Sequence, residues 1–126
     1  MCKVLVVDDN PVNMELATAV LTQGGHVVLQ AGNAAAGIRI ALESLPDLIF
    51  MDIQLPGMDG LEATRQIKAN PITQHIPIYA LTAFAMKGDE DRFRQAGCDG
   101  YLAKPLKYKD LLTVAQTVVN PPSAIE

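Results

Sequence analysis

Five short runs punctuate the chain at nearly regular spacing: "KVLVV" from Lys3, "HVVLQA" from His26, "DLIFM" from Asp47, "IPIYAL" from Ile76 and the more mixed "GYLA" from Gly100. They are rich in β-branched residues or leucine and lack clean alternation of polar and apolar positions, which is how strands buried on both faces of a parallel sheet read. Between them lie segments with helical spacing. These are Leu16, Ala17, Val20 and Leu21; then Ala34, Ile38, Ala41, Leu42 and Leu45; more weakly Gly60 to Ala69 and Gly88 to Ala96; and finally Leu111, Leu112, Ala115, Val118 and Val119. Gly24 and Gly25 suit a helix end, Asn33 suits an N-cap, and "SLPD" from Ser44 stops the second helix before the third strand. Parallel neighbours need crossover connections, so this strict alternation implies an α/β fold. The expected architecture is (βα)5, a doubly wound five-stranded parallel sheet with helices on both faces and right-handed crossovers.

At 126 residues there is room for one core and not for two. The chain is 49% hydrophobic and 19% charged with a formal net charge of -4, ordinary for a soluble globular protein. Its basic residues are spread along the sequence. The one local concentration, Lys104, Lys107 and Lys109, is too sparse for a phosphate-backbone patch, so no direct nucleic-acid contact is expected. Cys2 and Cys98 show no CxxC or Cys/His ligand spacing, which leaves free thiols in a reducing compartment rather than a zinc site or a disulfide framework. With no apolar run near the roughly 20 residues of a membrane span and no signal-peptide pattern, the expectation is a cytoplasmic protein without membrane association. The tail "NPPSAIE" from Asn120 lacks periodicity, so one domain is expected over residues 1–120 with a disordered tail at 121–126.

In open α/β sheets, function gathers outside the carboxyl ends of the strands, where the strand order reverses. The residues just past the runs are Asp8 and Asp9 after the first, Asp52 after the third, Thr82 after the fourth and Lys104 after the fifth; the second ends in "AGN" and offers no charge. If the order is 2-1-3-4-5, the first strand neighbours the third. Asp8, Asp9 and Asp52 then share one crevice, with Thr82 and Lys104 successively alongside. Singly, each has an ordinary reading as a cap, a turn former or a solvated lysine. Together they conflict, because two carboxylates roughly 4 Å apart repel by about 4 kcal/mol at an effective dielectric near 20. One lysine cannot balance three such charges, and a total stability of roughly 5 to 15 kcal/mol would not casually tolerate them. The cluster calls for a cation. Its all-oxygen character selects a hard ion, and Mg²⁺ fits best because it accepts a few carboxylates, keeps several waters and leaves room for a phosphoryl oxygen. Calcium fits less well, since there is no DxDxDG loop with a distal Glu.

These residues carry a resemblance. "VDDN", then "MDIQLPGMDG" with Asp52, "ALTA" with Thr82 and "YLAKP" with Lys104 and Pro105 resemble, in order, spacing and strand position, the receiver domain of bacterial two-component response regulators, over nearly the whole chain. The resemblance implies the flavodoxin-like receiver fold with sheet order 2-1-3-4-5. It implies that Asp52 is the phosphoacceptor, a carboxylate nucleophile that forms an acyl phosphate. Asp9 would bind Mg²⁺ directly, Asp8 largely through water, and the backbone carbonyl of Gln54 would supply a further oxygen. Lys104 would pair with Asp52 at rest and with a phosphoryl oxygen afterwards, Thr82 would donate its hydroxyl to the phosphoryl group, and the Lys104–Pro105 peptide would be cis. Asp8 and Asp9 would then sit together to hold a metal that neutralises charge during in-line transfer.

The same resemblance implies a switch in which Thr82 moves toward the phosphoryl group and Tyr101 turns inward, changing the face of the fourth helix, fifth strand and fifth helix. Simple packing is the alternative reading for Tyr101. Phe84 and Met86, in "AFAMKGDE" from Ala83, are candidate partner contacts on that face. With "HIP" and "GC" ahead of the last two strands, this loop resembles free-standing receivers of the cell-polarity and cell-cycle type. Gln54 and Phe84 occupy the positions that tune hydrolysis in the family, and apolar Phe84 implies slow self-dephosphorylation. The implied partners are a sensor histidine kinase or histidine phosphotransferase upstream and a protein target downstream, with the chain a monomer or weak dimer and not a turnover enzyme. A receiver cut from a hybrid kinase or a larger regulator is the alternative, although the short ends read as free-standing. A haloacid-dehalogenase-type hydrolase would want DxDxT after the first strand, where this chain has "DDNPV". A flavodoxin-like cofactor site would want a phosphate-cradling loop where Asp8 and Asp9 stand.

Overall fold

The computed structural model describes residues 2–83 and 89–119. Five strands, β1 (Lys3–Val7), β2 (Val27–Ala31), β3 (Leu48–Asp52), β4 (Ile78–Thr82) and β5 (Gly100–Ala103), alternate with α1 (Pro11–Gln23), α2 (Ala34–Ser44), α3 (Gly60–Ala69), α4 (Asp89–Ala96) and α5 (Tyr108–Val119). The strands form one parallel sheet ordered β2-β1-β3-β4-β5. Alternation and order are as expected, and each of the five runs became a strand.

Local chemistry sets the helix ends. Asn10 caps α1, its Oδ1 accepting from the N–H groups of Val12 (2.8 Å) and Asn13 (3.1 Å), with Pro11 at the first helical position, where its missing N–H costs nothing. The Gly24 N–H closes that helix on the Val20 carbonyl at 3.1 Å. Asn33 caps α2 by accepting from the Ala36 N–H at 2.8 Å, and Leu45 ends it at φ 47° just before Pro46. Asp59 caps α3 through the Glu62 N–H at 2.8 Å.

The pleat divides the core between the faces of the sheet. Val4, Val6, Phe50 and Leu81 pack with Ala17 and Leu21 of α1 and Leu111 and Ala115 of α5. Leu5, Val7, Ile49, Met51 and Ile78 pack with Ala41 of α2 and with Ala63 and Ile67 of α3. Phe93 and Ala96 of α4 extend this second face over Ala80. Each fully buried aliphatic side chain contributes roughly 1.5 to 3 kcal/mol. Burial on both faces holds for β3 throughout and for β1 beyond Lys3, but not for β2 or β5. These two are the sheet edges. The helices cannot wrap fully around an edge, so Val27 remains 44% exposed, and composition alone had not separated edge strands from central ones.

Candidate functional site

Because β1 and β3 are paired, with Val7 opposite Met51, the residues that follow them emerge at the same pole of the sheet. Asp52 is the last residue of β3 and Thr82 the last of β4, one position inside the strands rather than past them; Lys104 directly follows β5. Carboxylate oxygens of Asp8, Asp9 and Asp52 all lie within 4.8 Å of one another. Asp8 and Asp52 are buried, at 2% and 1% exposure, whereas Asp9 faces solvent. The lysine completes the cup: Lys104 Nζ stands 3.1 Å from Asp52 Oδ2 and 3.9 Å from Asp8 Oδ2. Its backbone N–H donates to the Thr82 carbonyl at 2.7 Å, and its peptide bond to Pro105 is cis, as the resemblance implied.

Two turns of the same kind orient the buried acids. Asp8 Oδ1 accepts from the Asn10 N–H and Asp52 Oδ1 from the Gln54 N–H, each at 2.9 Å and each two residues on. These are Asx turns, in which an aspartate bonds the backbone that follows it. Sequence reasoning did not single them out, although an Asp at the mouth of a loop is the signal for one. In both cases the remaining Oδ2 is left for the crevice. Asp52 Oδ2 meets Lys104, whereas Asp8 Oδ2 is buried with no hydrogen-bond partner among the described residues. Burial raises the Asp8 carboxyl above its ordinary 3.8; the Asn10 N–H opposes this and the Asp52 charge adds to it. A buried carboxylate oxygen without a donor is costly unless something positive approaches it. The donor set is all oxygen, it is anionic even after Lys104 is counted, and one member opens to water, so the residues fit a hard divalent ion.

Thr82 is fully buried beside this cup. It also borders a cavity of about 240 Å³ formed with Ile53, Gln54, Asp59, Leu61 and Arg92, the last a cation that the sequence had not marked. A more voluminous concavity, about 670 Å³, lies along α1 between Pro11 and Gln30 and is lined by none of Asp8, Asp9 and Asp52. Tyr101 is half-buried on β5, its ring 5.7 Å from that of Phe93 at 57°. Phe84 and Met86 lie outside the described residues. No helix among the described residues is long and apolar enough to cross a membrane.

Comparison with known proteins bears directly on this arrangement. The family model described as "Response regulator receiver domain" matches residues 4–116. The chain is 46% identical over 103 residues to the polar-differentiation response regulator DivK of Brucella anthropi, covering 82% of this chain and 84% of the relative. Among solved structures, the receiver domain of a sensor histidine kinase from Pseudomonas aeruginosa, crystallised with a magnesium ion in its active-site cleft, superposes with a TM-score of 0.86 at 39% identity, covering 94% of this chain and 97% of that one. A chemotaxis response regulator of Vibrio cholerae gives 0.88 at 27% identity, covering 94% and 98%. An acidic cup at the carboxyl pole of a 2-1-3-4-5 sheet fits the phosphoacceptor role in two-component signalling, and the chain belongs to the response regulator receiver domain family.

Proposed function

We propose that this receiver takes a phosphoryl group onto Asp52 from a phosphohistidine of a sensor histidine kinase or histidine phosphotransferase. The change is read by a downstream protein. The observation that carries the assignment is the asymmetry within the cup: both buried aspartates are oriented by an Asx turn, but Lys104 Nζ lies at 3.1 Å from Asp52 Oδ2 and only at 3.9 Å from Asp8 Oδ2, with Asp8 and Asp9 flanking Asp52. One Asp52 oxygen attacks phosphorus in line. The P–N bond to the donor imidazole breaks, and the imidazole keeps the electron pair. Lys104, already 3.1 Å from Asp52 Oδ2, moves its charge to a phosphoryl oxygen as the carboxylate becomes an acyl phosphate. Thr82 offers its hydroxyl to another such oxygen.

Asp8, Asp9, Asp52 and the Gln54 carbonyl would hold Mg²⁺ here. When bound, that ion supplies charge neutralisation for a transfer between anions. The protein-binding face is the α4, β5 and α5 surface carrying Tyr101, with Phe84 and Met86 as further contacts. Residues 1–120 are assigned to the domain, and the expected tail at 121–126 lies outside the described residues. Self-dephosphorylation is slow, tuned by Gln54 and Phe84. The test is intact-mass measurement after treatment with acetyl phosphate and Mg²⁺, comparing wild type with Asp52→Asn. A hydroxylamine-labile adduct in wild type alone supports the assignment, and an equal adduct in both proteins refutes it.

A further inference from the structure

The start of α3 carries a glycine whose purpose is space rather than backbone freedom. Gly60 is the first residue of the helix, and its φ is not in the left-handed region that Gly25, Gly57 and Gly97 occupy. A Cβ built there would run into the Asp52 carbonyl oxygen, and would stand 2.7 Å from the Ile53 Cα and 2.8 Å from the Asp52 carbonyl carbon. Gly24, Gly37, Gly97 and Gly100 are also tight, but there the atoms closer than 3.0 Å belong to side chains, which can rotate away. Among the described glycines, Gly60 alone is pressed this closely against main chain. That main chain is the acceptor's own.

Two bonds hold the contact in register. The Gly60 N–H donates to the Ile53 carbonyl at 3.3 Å, and the Gly60 carbonyl accepts from Oγ1 of the fully buried Thr64 at 2.8 Å. The Asp52 backbone thus rests on the bare Cα of Gly60, while the Asp52 carboxylate is aimed by the Gln54 N–H two residues on. Any side chain at position 60 must part the start of α3 from the end of β3, and whatever part of that shift β3 takes up moves the Asp52 oxygens and the Gln54 backbone. We infer that Gly60 is a positioning residue for phosphoryl transfer, acting through the main chain of Asp52 and Ile53. This rests on the proposed acceptor role of Asp52. A displacement near 1 Å at a reacting group lowers rates by up to about 100-fold, so a single methyl group suffices.

The test compares wild type, Gly60→Ala and Gly24→Ala. In the last, the added methyl meets the Leu112 side chain at 2.6 Å near the end of α1, away from the acids. Initial rates of labelling by acetyl phosphate at saturating Mg²⁺ are measured by intact mass and divided by the folded fraction from thermal melts. Gly60→Ala should be roughly 10- to 100-fold slower, with little change in the acetyl phosphate concentration giving half-maximal rate and a smaller Mg²⁺-induced rise in melting temperature. Gly24→Ala should melt lower yet label at the wild-type rate. Should Gly60→Ala fail to fold, Thr64→Val replaces it. This near-isosteric change removes the hydroxyl that grips Gly60, and it should slow labelling severalfold. Wild-type rates per folded molecule in the position-60 variant, or in Thr64→Val where that substitutes, overturn the inference. Failure of wild type itself to label overturns the acceptor assignment beneath it.

Discussion

Asp8 Oδ2, buried and lacking a donor among the described residues, is where the site's need for positive charge is felt most sharply. Asp8→Asn keeps an oxygen for the Asn10 N–H and turns a repulsive neighbour of Asp52 into a donor. The metal-free variant should therefore be more stable than wild type by roughly 1 to 3 kcal/mol while losing the Mg²⁺-dependent rise in melting temperature. A metal-free Asp8→Asn that melts below wild type would contradict this account of the cup. His26 supplies a second residue-scale prediction, unrelated to the site. Its Nδ1 accepts from the Cys2 N–H at 3.2 Å, so the neutral ring must carry its proton on Nε2, which is buried without a partner among the described residues. Burial lowers its pKa below 6.5. The unfolded chain therefore binds a proton here that the folded chain refuses, so this contribution to stability is complete above about pH 6.5 and is lost as pH falls toward the folded pKa. Melting curves of His26→Gln between pH 7 and pH 5 should show a shallower decline than wild type; parallel declines would count against the mechanism.

At the scale of elements, caps and chemistry separate. Asn33 anchors α2 through one bond to the Ala36 N–H and makes no part of the acidic cup, so Asn33→Ala should cost about 1 kcal/mol and leave labelling of the folded protein unchanged. Urea titration measures the first and intact mass the second. The capping residues were legible because Asn before an apolar-periodic stretch has a local physical meaning. Edge strands were not legible from composition, because β2 and β5 read much like their neighbours; they followed only from the strand order that the resemblance implied, and the exposure this leaves at Val27 came with the structure. Gly60 is a further instance. At a helix start it reads as a weak helix former, and nothing in "GMDGLEA" says that the backbone of Asp52 will fill the space where a side chain would be.

For the molecule as a whole, the two poles of the sheet do different work. The carboxyl pole concentrates repulsion, while the opposite pole is clamped. Lys68 Nζ, on α3, donates to the Ile76 carbonyl at 2.7 Å and to Asp99 Oδ2 at 3.0 Å, and the same Asp99 oxygen accepts the Ile78 N–H at 2.8 Å. This ties α3 to the starts of β4 and β5. Lys68→Met should cost roughly 1 to 3 kcal/mol, since the bonds are charge-assisted and partly shielded from water. It should spare phosphoryl labelling per folded molecule, because the loss lies at the far end of the strands. Slower labelling at equal folded fraction would show that the poles are coupled. The residues alone determined that this chain alternates strand and helix and that its acids and its lysine stand at strand ends; with the strand order that the resemblance implies, they also gave the expectation that like charge gathered in one crevice attracts a cation. Each of these follows from periodicity, crossover geometry or Coulomb repulsion, which act locally or depend on type alone. Only the tertiary structure decided which carboxylate oxygen is left without a donor and which glycine abuts Asp52. Those depend on atoms far apart in the chain arriving at contact distance, and no local pattern encodes such an arrival.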